Sequence, residues 1–430
     1  MDAQTILEKR KQLVPNAIGI FNPSTAVSAK GALITDAEGK EMIDFAGGIG
    51  VVNAGHCPEP VVKAIAAQAE KLIHCSFNVA SYELYIQLAE KLVSLFPHGD
   101  ATKVMLTNSG AESIENAVKI ARQATGRQAI ICYSNAFHGR TMMAMTLTSK
   151  VGYKLGCGPF APEVYRVPFP DYYRYGNGKS LDDFSVSQLN ELEVFFQTYV
   201  PASEVAAIIV EPVQGEGGFN VVPKKYLEGL RKVCDKHGIL LILDEVQSGF
   251  GRTGKWAAYQ HYDVVPDIST WAKSMGSGMP IGAVIGKAAI MDACKPATIG
   301  GTYPGNPVCC AASLATIKYM EEININALGE KVGNIVRERF GQMKKQFTCI
   351  GDVRGLGAML AFELVKENDP FKPDAELCKK LISYCAAHGL IVISAGVNGN
   401  CIRVLSPLVI EESLLSKGLD IIENGLKELE

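Results

Sequence analysis

The chain has 430 residues, of which 47% are hydrophobic and 20% are charged. These are ordinary values for a folded globular protein, and they exclude a disordered chain, a collagen and a long coiled coil. With 42 basic and 45 acidic side chains the net charge is −3, so no global positive field recruits nucleic acid or an anionic membrane. At about 150 residues per domain, the length predicts two or three domains.

The sequence shows no clear pattern for a membrane-spanning segment, a signal peptide or a metal site. Apolar runs such as 239–243 fall far short of the roughly 18 residues that a membrane-spanning helix needs. Residues 1–10 lack the apolar core of a signal peptide. The 12 Cys have no paired CxxC spacing, and the 7 His have no zinc-ligand spacing. We therefore expect a cytoplasmic protein with free thiols, no bound metal, and no membrane or nucleic-acid partner.

Apolar strand-like runs alternate with amphipathic helix-like runs, which predicts an α/β protein with a mainly parallel sheet. In chain order the predicted elements are a strand at 103–106, a helix at 112–124, strands at 129–133 and 206–210, a helix from Pro223 to about Lys236, and strands at 239–243 and 281–285. The strand at 239–243 is apolar on both faces, so we expect it at the centre of the sheet.

The C-terminal part of the chain has its own alternation of helices and strands. A long helical stretch begins near Gly305, and strands are predicted at 354–362 and 390–394. The segment Tyr172–Ser187 is rich in Tyr, Gly, Asp and Ser, which is typical of an excursion on the surface. We predict a large domain at 56–320 and a smaller α+β domain formed by 1–55 together with 321–430.

One glycine-rich segment imitates two nucleotide-binding motifs. Gly249–Gly254 matches GxGxxG, and its extension to Lys255 nearly matches a P-loop. Residues 244–248 separate it from the preceding strand, and no helix start follows, which argues against a nicotinamide site. Trp256 stands where a P-loop carries the Ser or Thr that binds Mg²⁺. We interpret the segment as a loop after a central strand, a usual place for a binding surface.

Four segments carry the residue types of a phosphate-bearing cofactor site. Asp244 and Lys273 end two strand-like runs, an arrangement that a structural ion pair would also explain. Gly110 and Ala111 join a strand to a helix, where backbone amides bind anions. Residues 135–140 follow another strand and add an aromatic side chain. Together these segments offer an anion site, an aromatic face, a carboxylate and a lysine, the parts that hold pyridoxal phosphate.

The chain resembles the class III, or ω-amino-acid, aminotransferases, which are pyridoxal-phosphate enzymes of the aspartate aminotransferase fold (fold type I). The resemblance runs from 44–49 to 403–407. Its most specific motifs are Glu211–Gly218, Asp244–Gln247, Gly251–Gly254, Lys273 and Gly300–Pro307. A narrower resemblance, to the members that use 4-aminobutyrate, is carried by Phe137–Arg140 and by Glu211 with Arg403. The resemblance implies a large domain with a mainly parallel seven-stranded sheet and a smaller α+β domain.

The resemblance also implies the roles of the cofactor residues. Lys273 forms the Schiff base and then moves a proton, and Asp244 keeps the pyridine nitrogen protonated. The implied contacts are Ser109, Gly110 and Ala111 at the phosphate, Phe137, His138 and Val246 around the ring, Gln247 near the ring hydroxyl, and Thr302 at the phosphate from a neighbouring subunit. We therefore expect a homodimer with shared active sites, with a tetramer left open.

Ala111 departs from the family pattern, because many relatives carry a hydroxyl residue at this position. This chain offers only a backbone amide there. One hydrogen bond to the phosphate must therefore come from Ser109, from water or from Thr302.

Four further residues are implied to contact the substrates: Ile49, Arg140, Glu211 and Arg403. Arg140 would grip the remote carboxylate of both substrates, and Arg403 the carboxylate next to the reacting carbon of 2-oxoglutarate. Glu211 would pair with Arg403 while an ω-amino acid is bound, because an unpaired buried arginine is costly. The implied reaction is a ping-pong transfer of the amino group of an ω-amino acid, above all 4-aminobutyrate, to 2-oxoglutarate.

Other activities remain open at this stage. The donor could be 5-aminovalerate, β-alanine or a lysine-type amine, since one methylene is worth only about 1–3 kcal/mol. A racemase, decarboxylase or aminomutase could use the same cofactor. A non-enzymatic regulator on this fold would need a basic DNA-binding extension, and we do not expect one.

Overall fold

The structure is a computed structural model that describes all 430 residues. The strands are β1 (Ser28–Lys30), β2 (Leu33–Thr35), β3 (Glu41–Asp44), β4 (Thr102–Thr107), β5 (Ala129–Tyr133), β6 (Val164–Val167), β7 (Val205–Val210), β8 (Leu240–Asp244), β9 (Ile268–Trp271), β10 (Gly282–Lys287), β11 (Ile350–Leu356), β12 (Met359–Leu364), β13 (Leu390–Ile391), β14 (Ile393–Ala395) and β15 (Cys401–Val404). The helices are α1 (Ala3–Leu13), α2 (Gly47–Gly50), α3 (Glu59–Ala69), α4 (Glu83–Leu95), α5 (Gly110–Thr125), α6 (Met142–Leu147), α7 (Tyr172–Tyr175), α8 (Leu181–Thr198), α9 (Lys224–His237), α10 (Ala288–Met291), α11 (Pro307–Glu322), α12 (Ile325–Gln346), α13 (Ala375–Ala387) and α14 (Glu412–Leu429).

A seven-stranded sheet has the strand order β4-β10-β9-β8-β7-β5-β6. Only β10 runs antiparallel to its neighbours, and the other pairs are parallel. The predicted fold class, α/β with a mainly parallel seven-stranded sheet, is confirmed, and β8 lies at the centre as expected. The sequence pattern missed β6, whose four residues include the exposed Arg166 and bury only Val167.

Two four-stranded sheets complete the fold, in the orders β1-β2-β3-β13 and β11-β12-β15-β14. The prediction of one strand at 354–362 is wrong, because β11 and β12 are antiparallel strands that pair Leu356 with Met359 around a turn at Gly357. Gly357 has a φ of +55°, and a Cβ there would lie 2.2 Å from the carbonyl carbon of Thr253. Only glycine therefore allows the turn to approach this loop so closely.

The predicted strand at 390–394 is divided between two sheets. Residues Leu390 and Ile391 form β13, which pairs with β3, whereas Ile393 begins β14, which pairs with β15. The chain thus crosses from one small sheet to the other at Val392, which is fully buried. A continuous apolar run hides such a crossing, because both halves are equally hydrophobic.

The segment Tyr172–Ser187 is more regular than the excursion predicted for it. It contains α7 and the first turns of α8, and the side chain of Ser180 caps α8 by accepting a hydrogen bond from the amide of Asp183. Arg174 bridges Asp171 and Glu363, a residue of β12. The segment therefore connects the large sheet to one of the small sheets.

The segment Gly249–Gly254 forms turns and does not open a helix. Its glycines allow close packing on α12: a Cβ on Gly251 would lie 2.9 Å from the side chain of Ile325, and a Cβ on Gly329 would lie 2.2 Å from the oxygen of Gly251. Arg252 is fully buried and donates a hydrogen bond to Asn53. These contacts give the GxGxxG pattern a packing role.

All strands of the large sheet lie between 102 and 287, and the strands of the small sheets lie at 28–44 and 350–404. The division into domains at 56–320 and at 1–55 with 321–430 stays a prediction. No helix has the length and apolar composition that crossing a bilayer requires.

We predict that Gly329→Ala lowers the free energy of unfolding by about 2 kcal/mol, because the new methyl group meets a backbone oxygen that cannot move aside. Gly341→Ala in the same helix is the matched control, since a Cβ there meets nothing within 4 Å. The control should be neutral or more stable by about 0.5–1 kcal/mol. Urea unfolding of both variants at equal cofactor loading measures the difference, and equal effects would contradict the packing role of this glycine.

Candidate active site

The carboxyl ends of β4, β5, β7, β8 and β9 meet at one edge of the large sheet, because these strands are mutually parallel. Ligands of open α/β sheets bind at this edge. A cavity of about 460 Å³ lies there. The residues predicted for the site that line it are Ser109, Gly110, Ala111, Phe137, His138, Arg140, Glu211, Asp244, Val246, Gln247 and Lys273. Ile49, Thr302 and Arg403 are not part of this lining.

The N-terminus of α5 forms the anion-binding end of the cavity. Ser109 caps the helix, and its hydroxyl accepts a hydrogen bond from the amide of Glu112 at 3.3 Å. The amides of Gly110 and Ala111 precede the first intrahelical hydrogen bond, so they remain available to an anion. A Cβ on Gly110 would lie 2.9 Å from Val246 Cγ1. Glycine at position 110 therefore allows the N-terminus of α5 to pack closely against Val246, which lines the cavity.

The departure at Ala111 has a packing counterpart. A Cβ on Gly139 would lie 2.7 Å from the Cβ of Ala111. The loop after β5 therefore presses directly on the first turn of α5, and a small side chain at 111 suits this contact. The hydroxyl of Ser109 remains the side-chain donor next to these amides.

Asp244 is held in place by three hydrogen bonds at the end of β8. Its Oδ2 accepts from Nδ1 of His138 at 2.7 Å, and its Oδ1 accepts from the hydroxyl of Thr270 and the amide of Val246, both at 3.1 Å. The side chain of His138 is fully buried. Asp244 forms no ion pair with Lys273, so the structural alternative weighed for these two residues does not apply. His138 positions the carboxylate, a role that the sequence did not reveal.

Lys273 follows β9 and begins a single 3₁₀ turn that ends at Gly276. Its φ of +50° lies in the left-handed region, which costs energy for any residue except glycine and is typical of functional positions. Desolvation lowers the pKa of Lys273, and the carboxylate of Glu216 opposes that shift. A lowered pKa increases the fraction of unprotonated amine, the form that attacks a carbonyl carbon.

Glu211 serves a different purpose from the one expected. Its two oxygens accept hydrogen bonds from the amides of Phe137 and Gly215, each at 2.9 Å. Burial raises the pKa of its carboxyl. The expected pairing of Glu211 with Arg403 is therefore wrong in this conformation. Glu211 fixes the loop that carries Phe137 at the cavity.

The partner of Arg403 is Glu216. Nη1 of Arg403 donates to Oε1 of Glu216 at 2.5 Å, and both side chains are largely buried. Burial alone would raise the pKa of Glu216, but the adjacent guanidinium of Arg403 holds it below its ordinary value. The carboxylate is therefore ionised and neutralises the arginine. Arg403 belongs to β15, so this pair joins the small sheet to the loop after β7.

Arg140 is an exposed residue that makes no salt bridge. Its guanidinium lies over the ring of Tyr153, 4.3 Å from the centroid. The hydroxyl of Tyr153 donates to Oε2 of Glu216 at 3.3 Å. The two arginines near the site therefore differ. Arg140 has no acidic partner and is free to bind a carboxylate, whereas Arg403 is already paired with Glu216.

Two of the residues expected at the site, Ile49 and Thr302, do not line this cavity. Ile49 sits in a left-handed turn, with a φ of +67° and an exposed side chain, and Val51 lines the cavity instead. Thr302 is exposed and outside the cavity wall. Its predicted contact with a neighbouring subunit stays a prediction.

Sequence reasoning missed Glu216, Tyr153 and Thr270. Glu216 was visible as the second acidic residue of the motif Glu211–Gly218, but spacing alone does not tell which of two carboxylates faces an arginine. Thr270 and Tyr153 carried no signal, because a Thr in a strand and a lone Tyr in a loop are common in any α/β protein.

The residues at this edge fit pyridoxal phosphate. The end of α5 suits its phosphate, the fixed Asp244 suits its ring nitrogen, and Lys273 suits its aldehyde. Two buried polar atoms, Nε2 of His138 and Oε1 of Gln247, have no hydrogen-bond partner in the chain. Both belong to residues that line the cavity, as expected where a polar ligand completes a network.

A family model described as "Aminotransferase class-III" matches residues 21–426. The chain belongs to this family. It is therefore an aminotransferase that depends on pyridoxal phosphate, and the cofactor expected from the sequence is confirmed. The alternative classes, a nicotinamide dehydrogenase and a non-enzymatic regulator, are not supported by this family assignment.

Two curated relatives match almost the entire chain. A probable 4-aminobutyrate aminotransferase of Bacillus subtilis is 46% identical over 424 residues, which are 98% of this chain and 97% of the relative. A 5-aminovalerate aminotransferase of Pseudomonas aeruginosa is 44% identical over 427 residues, 99% of each chain. The named substrates of these relatives differ by a single methylene group.

Solved structures show the same fold. An (S)-enantioselective ω-transaminase from Thermomicrobium roseum superposes with a TM-score of 0.93 at 31% identity, covering 100% of this chain and 99% of the other. An amine transaminase from an uncultivated Pseudomonas species, in its pyridoxal-phosphate-bound form, has a TM-score of 0.90 at 30% identity over 97% of each chain.

Asp244→Asn should reduce the rate of amino transfer by at least about tenfold, or about 1.4 kcal/mol in the barrier. The amide has the size of the carboxylate but lacks the negative charge that we expect to keep the ring nitrogen of the cofactor protonated. Stopped-flow absorbance of the bound cofactor measures the rate, and cofactor retention after gel filtration is the control. A smaller loss with full retention would show that Asp244 is only structural.

Proposed function

We propose that this aminotransferase moves the amino group of a short ω-amino acid, above all 4-aminobutyrate, to 2-oxoglutarate. The observation that carries the proposal is the unequal state of two arginines: Arg140 has no acidic partner, whereas Arg403 is neutralised by Glu216. An ω-amino acid carries one carboxylate, remote from its amine. 2-Oxoglutarate carries two, one of them next to the reacting carbon.

The two arginines match these two patterns of charge. Arg140 binds the remote carboxylate of either substrate, because a guanidinium grips a carboxylate through two parallel hydrogen bonds. Arg403 stays paired with Glu216 while the substrate has no second carboxylate, which avoids an unpaired buried charge. When 2-oxoglutarate enters, its α-carboxylate replaces Glu216 on Arg403. The glutamate that exchanges is therefore Glu216, in the role first assigned to Glu211.

Pyridoxal phosphate, when bound, supplies the carbonyl carbon that takes up the amine and the ring that withdraws electrons. We propose that Nζ of Lys273 holds the cofactor and then moves the proton of the substrate carbon. Asp244, fixed by His138, keeps the ring nitrogen charged. Phe137 and Val246 would contact the two faces of the ring, and Gln247 would form a hydrogen bond near the ring hydroxyl. Ser109, Gly110 and Ala111 would bind the phosphate.

The length of the donor is the finer question. The relatives named for 4-aminobutyrate and for 5-aminovalerate are nearly equally similar to this chain, at 46% and 44% identity. A panel of 4-aminobutyrate, 5-aminovalerate, β-alanine and ornithine, each with 2-oxoglutarate as acceptor, ranks the donors by kcat/KM. A preference for 5-aminovalerate would show that the preferred donor is one methylene longer than 4-aminobutyrate. Turnover with none of the ω-amino acids would refute the proposed function.

Arg140→Ala should impair both half-reactions, whereas Arg403→Ala should impair mainly the half-reaction with 2-oxoglutarate. Loss of a charged, bidentate contact should weaken the affected step by about 10- to 100-fold. Single-turnover absorbance changes follow each half-reaction separately. Equal losses of both halves in Arg403→Ala would contradict the exchange of partners.

Glu216→Ser is the matched reciprocal variant, because it leaves Arg403 permanently available. It should weaken turnover of 4-aminobutyrate and favour α-amino donors such as glutamate. Glu211→Ser should instead disturb the loop of Phe137 and slow both donors alike. If Glu211→Ser alone shifted the choice of donor, the original assignment of the switch to Glu211 would regain its place.

We further propose a homodimer in which Thr302 of one copy completes the phosphate site of the other. Thr302 is exposed and does not line the cavity of its own chain. It borders an apolar surface on which Ile73, Val79 and Tyr303 are 63%, 83% and 63% exposed. The ring of His74 packs at a tilt of 37° against the ring of Tyr303, with centroids 5.1 Å apart, so the two segments form one surface. A second copy would cover it.

Val79→Asp should dissociate the dimer and release cofactor, because burying an unpaired carboxylate opposes association. Val194→Asp on α8 is the control, since Val194 is also exposed (49%) but lies away from this surface. Light scattering and retained cofactor absorbance provide the two readouts. A wild-type monomer with cofactor bound would contradict the shared site.

A further inference from the structure

Tyr153 contacts three parts of the active site without lining the cavity itself. Its ring lies under the guanidinium of Arg140, at 4.3 Å. Its hydroxyl donates to Glu216, the partner of Arg403. Its ring also meets Phe137 edge-on, with centroids 5.4 Å apart. A single side chain therefore connects the two carboxylate-binding arginines and the aromatic wall.

Hydrogen bonds fix the segment that carries Tyr153. Tyr153 ends a 3₁₀ turn that begins at Val151. Just before the turn, Nζ of Lys150 donates to the carbonyl of Gly396, whose own amide donates to the backbone oxygen of Glu216. The hydroxyl of Tyr153 is therefore presented to Glu216 from a fixed position.

We propose that Tyr153 is a positioning residue that sets the balance between the two substrates, an inference that rests on the function proposed above. Its hydroxyl stabilises Glu216 in the position that neutralises Arg403, which favours a substrate with no α-carboxylate. Its ring holds the guanidinium of Arg140 at the mouth of the site by a cation–π contact. The hydroxyl and the ring thus act on different carboxylates.

The raised pKa of Tyr153, caused by burial and by the carboxylate of Glu216, is consistent with a neutral phenol that donates its proton to this carboxylate. Hydrogen bonds to a charged group are stronger than those between neutral groups. A substrate carboxylate that displaces Glu216 from Arg403 therefore also has to weaken the bond from Tyr153. The hydroxyl thereby lowers the affinity of the site for a substrate that carries a second carboxylate.

The test compares two unreactive ligands of equal chain length, valerate with one carboxylate and glutarate with two. Their dissociation constants for the holoenzyme are measured by calorimetry, so that the readout does not depend on turnover. Tyr153→Phe should tighten glutarate by about fivefold and leave valerate unchanged, as expected for the loss of one hydrogen bond to the competing Glu216. Tyr153→Leu, which also removes the ring, should weaken valerate.

Two controls make the test specific. Tyr165→Phe removes a hydroxyl that also donates to a glutamate, Glu163, far from the cavity, and should change neither ligand. In a Glu216→Ala background, Tyr153→Phe should have no further effect on glutarate, because the hydroxyl acts through Glu216. Equal changes for both ligands, or a glutarate effect that persists without Glu216, would overturn the role of Tyr153.

The same measurements separate the two proposals. If Arg403→Ala leaves the ratio of glutarate to valerate affinity unchanged in otherwise wild-type protein, Arg403 does not bind a second carboxylate and the exchange of partners in the proposed function fails. If that variant changes the ratio while Tyr153→Phe does not, only the role of Tyr153 fails.

Discussion

The buried positive charge of Arg403 is the constraint on which the rest of the site depends. A guanidinium that is 1% exposed needs an anion in every state of the protein, because an unpaired buried charge costs several kcal/mol. Glu216 supplies the anion from a loop after the large sheet, while Arg403 itself belongs to the small sheet. One ion pair therefore both neutralises Arg403 and joins two sheets. In the function that we propose, this pair also opens to a substrate that brings a carboxylate of its own.

A second layer of contacts holds the other groups at this edge of the sheet in place. His138 and Thr270 fix the carboxylate of Asp244, and Glu211 fixes the amide of Phe137. These partners come from β5, β7, β8 and β9, whose ends share an edge only because the strands are parallel. The parallel order of the sheet is thus what brings together residues that are far apart in sequence. Such outer contacts set the precision of a site.

The sequence predicted the elements whose pattern is local and repeated, and it failed where tertiary contacts decide. Buried strands such as β5 and β8 have an unbroken apolar run, so their position was evident. The hairpin at Gly357 was not, because its close approach to Thr253 leaves no periodic trace. The residues expected to hold the cofactor were assigned from family motifs, and most of them line one cavity. The partner of Arg403 did not, since Glu211 and Glu216 occupy the same motif and only their surroundings distinguish them.

Those surroundings explain why we propose that Glu216, and not Glu211, exchanges with a substrate carboxylate. Both oxygens of Glu211 accept hydrogen bonds from backbone amides, one buried and one partly buried. Moving Glu211 would leave both donors unpaired, at up to about 1–3 kcal/mol each. The partners of Glu216 are the side chains of Arg403 and Tyr153. A substrate carboxylate can take the place of Glu216 on Arg403 and leave the number of ionic contacts unchanged. The proposed choice between substrates therefore rests on Glu216, because its partners are side chains and one carboxylate can replace another there.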